Sequence, residues 1–81
     1  MADLELQNPA FDITVQLAAE SRTIHVQPDE TSDGVEYFIC FADQTKLTQI
    51  RLDQDGQWEQ LWGELNQQDI NIIGQGIKET R

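Results

Sequence analysis

The chain has 81 residues, with fifteen acids against five lysines and arginines, and a formal charge of −10. That balance argues against nucleic acid and anionic membrane surfaces, which need cationic neutralisation of phosphate. It suits a basic partner, which such a field attracts and steers, and it serves solubility with no partner at all. No run of about 18 apolar residues could cross a bilayer, and the first ten residues carry no apolar signal stretch. The lone Cys40 cannot form an internal disulfide, so the expected compartment is the reducing cytoplasm.

In chain order, residues 1–9 read as a flexible polar arm ahead of a single small domain over residues 10–81. From Phe11 to Ala19 apolar and polar residues alternate, the pattern of a half-buried antiparallel strand. Glu20-Ser21 reads as a tight turn, with a return strand carrying Ile24 and Val26 and stopped by Pro28, which has no N–H to donate. Asp29 to Gly34 is an acidic loop rich in turn formers.

Val35 to Ala42 is the most apolar run, and Lys46 to Leu52 follows a polar break, the signal of a hairpin. Its tip falls at Asp43-Gln44, with Ala42 facing Thr45, or one residue later at Gln44-Thr45. Either register puts Val35, Tyr37, Ile39, Phe41, Ile50 and Leu52 on one face, the expected core face. Glu36, Phe38, Cys40, Ala42, Leu47, Gln49 and Arg51 then share the other. Asp55-Gly56 is the strongest turn signal, and a three-residue loop Gln54-Asp55-Gly56 sets Leu52 opposite Trp58 on the core face. Trp58, Leu61, Trp62 and Leu65 also fit one stripe of a short helix, but Gly63 and the preceding turn favour a fifth strand.

Asn66 is an N-cap candidate, with Asp69 at the third helical position and Leu65 and Ile70 placed for a hydrophobic staple. Ile70, Ile73 and Ile77 then recur at helical spacing from about Gln67 to Glu79. Gly74 lies on that stripe, where close approach to the sheet explains it; Gly76 has no such explanation. The expected fold is α+β: a five-stranded antiparallel β-meander with one C-terminal helix packed on one face, in two layers.

Little in the chain points to chemistry. His25 is the only histidine, and its place on a strand, opposite in direction to Ile24 and Val26, is that of a surface residue. Cys40 stands among Phe38, Ile39 and Phe41 with no nearby cation to activate it, the setting of a small buried hydrophobe. Asp53-Gln54-Asp55-Gly56 fails the calcium-loop template, because its glycine comes at the fourth place rather than the sixth. Gly74-Gln75-Gly76 lacks the lysine and strand-to-helix context of a phosphate loop. No catalytic residue, metal or cofactor is assigned.

Three functions are then open. A non-catalytic interaction module would use the outer sheet face, centred on Phe38 and Cys40 with Leu47, His25 and Gln49, or an edge strand, to hold a protein partner or form a homodimer. An acidic inhibitor or immunity-type protein would set Asp29, Glu30, Asp33, Asp53 and Asp55 in place of phosphates against a basic enzyme such as a nuclease. A small enzyme would pair Cys40 with His25 across the outer face. The plain alternative for that face is cover by the segment holding Trp62, Leu65 and the N-terminal leucines.

Overall fold

A computed structural model describes residues 9–80, so all of the expected arm except Pro9 lies outside the described residues. Five strands, β1 (Phe11–Leu17), β2 (Glu20–Glu30), β3 (Glu36–Ala42), β4 (Thr45–Leu52) and β5 (Trp58–Gly63), precede one helix, α1 (Gln67–Thr80). The strands pair in sequence order, each antiparallel to the last, and the helix covers one face. This is the two-layer meander-plus-helix architecture expected from the alternation of the strands and the isoleucine spacing of the last segment.

The first turn differs from expectation. Leu17 faces Glu20, so the tip is Ala18-Ala19 and Ile13 pairs with Ile24. Both alanines adopt left-handed backbone, with φ of 54° and 67°, as the tightest hairpin turns require. A Cβ makes that conformation unfavourable by roughly 1–2 kcal/mol per residue. Nor does Pro28 end β2: the strand runs on to Glu30, with Pro28 opposite Phe38. The last β1–β2 pair is Phe11 with Val26, so β2 extends past β1 here and Pro28 interrupts no ladder bond on that side.

The second tight turn is Asp43-Gln44, also left-handed at both residues, with Ala42 opposite Thr45. The register then jumps: Phe41 faces Lys46 but Cys40 faces Thr48, which leaves Leu47 as an extra residue, a β-bulge. Beyond it Ile39 pairs with Gln49 and Phe38 with Ile50. Because opposed residues share a face, the face holding Ile50 also holds Phe38, Cys40 and Ala42. A second bulge, at Leu61 in β5, separates the Ile50–Gln60 pair from the Gln49–Trp62 pair.

The helix covers that face. Asn66 caps it as expected, its Oδ1 accepting from the Asp69 amide at 2.8 Å. Ile70, Ile73 and Ile77 are buried against Ile13, Val15, Leu17, Ile24, Val26, Phe38, Cys40, Ile50 and Trp58 in one core. The helix begins beside β5, where Gln67 Nε2 donates to the Trp58 carbonyl at 2.9 Å, and its far half lies on β1. The two glycines fit this crossing. A methyl at Gly74 would overlap the Trp58 indole, and one at Gly76 would lie 3.1 Å from both Ile13 Cδ1 and Val15 Cγ1. Gly74 thus admits β5 to one flank of the helix and Gly76 admits β1 to the other.

Candidate functional site: the open sheet face and the acidic end

The bulge at Leu47 decides which residues are free for a ligand. Phe38 is 5% exposed and Cys40 fully buried, both beneath the helix, which corrects their expected place on the outer face. Leu47 is half-buried and packs against the core cluster, so it too is drawn from that surface. Of the expected interaction residues, His25 and Gln49 do lie on the open face, paired with Phe41 and with Ile39 and Trp62. The apolar residues of β3 there are Tyr37, Ile39 and Phe41, three of the six residues the alternation had assigned to the core face; Ile50 and Leu52 do lie on the covered side.

These three half-buried residues form a row along the central strand. Trp62, 47% exposed, lies beyond Gln49 in the same direction across the sheet. The cations of this face are engaged. Lys46 Nζ stands 4.3 Å over the Trp62 ring centre, and Arg51 Nε donates to Glu59 Oε1 at 2.8 Å. His25 Nδ1 lies 2.7 Å from Asp12 Oδ1, and its ring tilts against Phe41 with centroids 6.3 Å apart. The Tyr37 hydroxyl donates to Asp29 Oδ2 at 3.4 Å. Partial desolvation, and then the Asp29 carboxylate, raise the Tyr37 phenol above its ordinary range.

Cys40 and His25 stand on opposite faces of the sheet, since the pairs are Val26–Cys40 and His25–Phe41. The expected juxtaposition of thiol and imidazole on the outer face is therefore corrected: the sheet lies between them. Burial pushes the Cys40 thiol up to about 12, so at neutral pH it is fully protonated and a poor nucleophile. Among the described residues no group of three or more His, Cys, Asp or Glu side chains is placed to hold a metal ion. No described helix is long and apolar enough to cross a membrane.

The five acids singled out in the sequence do come together at one end of the sheet. In a meander the β2–β3 and β4–β5 loops project from the same end, which gathers Asp29, Glu30, Asp33, Asp53 and Asp55 there. Two of them hold the chain in shape. Asp53 accepts from the amides of Asp55 and Gln57, each at 2.9 Å, and Asp29 accepts from the Glu30 amide at 2.7 Å. Thr31 does the same for its loop, its Oγ1 accepting from the amides of Asp33 and Val35 at 3.3 and 3.1 Å. Glu30 pairs directly with Glu36, an opposition of like charges that adds to the negative field at this end.

A buried polar link escaped the sequence reading. Thr48, fully buried, has its Oγ1 2.8 Å from Gln60 Oε1 and 2.9 Å from the Trp62 carbonyl oxygen, so one hydroxyl proton serves two acceptors. The Gln60 amide also donates to the Leu65 carbonyl at 3.0 Å and accepts from the Leu65 N–H at 3.1 Å. It thereby ties the β5 bulge to the start of the helix. Nothing in the spacing of Thr48, Gln60 and Leu65 signals this, because the bulges bring them together.

No family model matches the chain, and no curated protein or solved structure matches it significantly.

Proposed function

We propose that the chain is a non-catalytic interaction domain that seats a protein partner on its open sheet face. The observation that carries this reading is the row Tyr37, Ile39 and Phe41, left half-buried on the face opposite the only described helix, with Trp62 exposed alongside. A sheet face that met only water would alternate to polar residues along its central strand. Here apolar and aromatic side chains form a patch rimmed by engaged charges and by His25, Gln27 and Gln49, the composition of a docking surface. With its one thiol buried and its one histidine across the sheet, the domain acts by binding.

The test is the double variant Ile39→Asp/Phe41→Asp. It should keep the wild-type thermal midpoint to within a few degrees, since neither side chain lies in the core. Sedimentation and pull-downs from the native cell should show an association made by the wild type and lost by the variant. A variant that retains every association of the wild type would overturn the reading.

A further inference from the structure

We infer a second binding site, on the helix side of the sheet, for a basic polypeptide segment that presents one large apolar side chain between lysines or arginines. It is independent of whether the open face is occupied. At the acidic end an apolar cleft opens between the last turns of the helix and the strand ends. Its walls are Val35, Phe38, Leu52, Trp58 and Ile77. Val35 and Leu52 are each 39% exposed, so the entrance is apolar as well as the floor.

The surroundings set the sign of the occupant. Glu36 lines the cleft itself, and Glu30 stands opposite it on β2. Asp33 lies two residues before Val35, Asp53 directly follows Leu52, and Asp55 lies in the same loop. The helix ends here too, so the negative end of its dipole adds to the field, while Lys78 is the single cation among the described lining residues. An apolar hollow inside a negative rim favours a segment whose apolar group fills the hollow and whose flanking cations meet the rim. Neutral apolar ligands would leave the rim unused, and acidic ones would be repelled. A second copy of this chain, at a formal charge of −10, is disfavoured for the same reason.

Amide and indole NMR of the 15N-labelled chain, titrated with the pentapeptide Arg-Lys-Leu-Lys-Arg, tests this. Saturable shifts are expected at Val35, Glu36, Leu52 and the Trp58 indole N–H. The same peptide with alanine in place of leucine should bind about ten-fold more weakly, because less apolar area is buried. Leu52→Ser and Val35→Ser, both at partly exposed positions, should weaken binding without unfolding the chain. Lys78→Gln should strengthen it about two-fold, and raising salt from 50 to 500 mM should weaken it.

Equal binding of the leucine and alanine peptides would overturn the proposal, because it would mean charge attraction alone. Shifts confined to Tyr37, Ile39 and Phe41 would overturn it in favour of the open face. Shifts at the cleft that depend on protein concentration without peptide would assign it to a second copy. Shifts that follow removal of residues 1–8, with no response to peptide, would assign it to the chain's own N-terminus.

Discussion

Phe38 and Phe41 stand three residues apart on β3, the same side chain on the same strand, and point to opposite sides of the sheet. Phe38 packs tilted against Trp58, with ring centroids 5.9 Å apart, under the helix; Phe41 leans on the His25 ring in the open. The covered side holds three helix isoleucines, a buried thiol and a buried threonine whose hydroxyl is satisfied. The open side holds aromatic and aliphatic groups among paired charges. The difference teaches that hydrophobicity on this strand does not mark the core. What separates the two sides is whether the helix reaches them, so one side answers to stability and the other, under the proposed function, to a partner.

The sharpest way to break this comparison is to truncate both phenylalanines. Phe38→Ala should lower the unfolding free energy by about 3–4 kcal/mol, the range for a large core side chain, whereas Phe41→Ala should cost about 1 kcal/mol or less. Urea denaturation of the two variants measures both. Comparable losses would show that the open side is packed against something after all.

Next in size is the pair of helix glycines. Gly74→Ala would gain about 1 kcal/mol of helix propensity, but it drives a methyl into the Trp58 ring, so a net loss of about 2 kcal/mol is expected. At Gly76 the neighbours are the methyl groups of Ile13 and Val15, which can shift by tenths of an ångström. Gly76→Ala should therefore change stability by about 1 kcal/mol or less. Melting curves of both variants give the contrast, and a stabilised Gly74→Ala would mean that the helix does not approach β5 so closely.

The last contrast, seen only at alkaline pH, concerns ionisation on the covered side. The Cys40 thiol is raised from 9.0 to about 12 in the folded chain, so folding keeps it protonated where the unfolded chain has lost the proton. Its contribution is thus intact below pH 9 and is lost as pH rises from there towards 12, at up to about 1.4 kcal/mol per pH unit. Comparing urea midpoints of wild type and Cys40→Ala at pH 8 and pH 10.5 isolates that slope. Parallel pH dependences would place the thiol in contact with water.

The elements themselves were legible because each has a local cause. Asn66 caps through its own side chain, Gly56 takes the left-handed φ of 82° that its loop requires, and Leu52 accordingly faces Trp58. The sidedness of the sheet was not legible, because it depends on one extra residue. β3 is apolar on both sides, so alternation along it is silent about which side is covered. The sign had to come from its pairing with Ile50, and Leu47 shifts that pairing by one. The first hairpin was missed for the complementary reason. Moving its tip from Glu20-Ser21 to Ala18-Ala19 slides each residue's partner by four, an even number, which leaves every side chain on its original face and the pattern unchanged. Gly76 was opaque because its neighbours on β1 are more than 60 residues away in the chain.

Leu47 and Leu61 are places where a strand carries one residue more than its partner can match. Shortening the chain at either point would straighten a ladder and leave inside and outside where they are. Adding a residue between Thr45 and Gln49 would instead demand a second irregularity or turn the rest of β4 over, carrying Ile50 into water. In this sheet, gaining length is the more dangerous change, and losing it at the bulges the safer one.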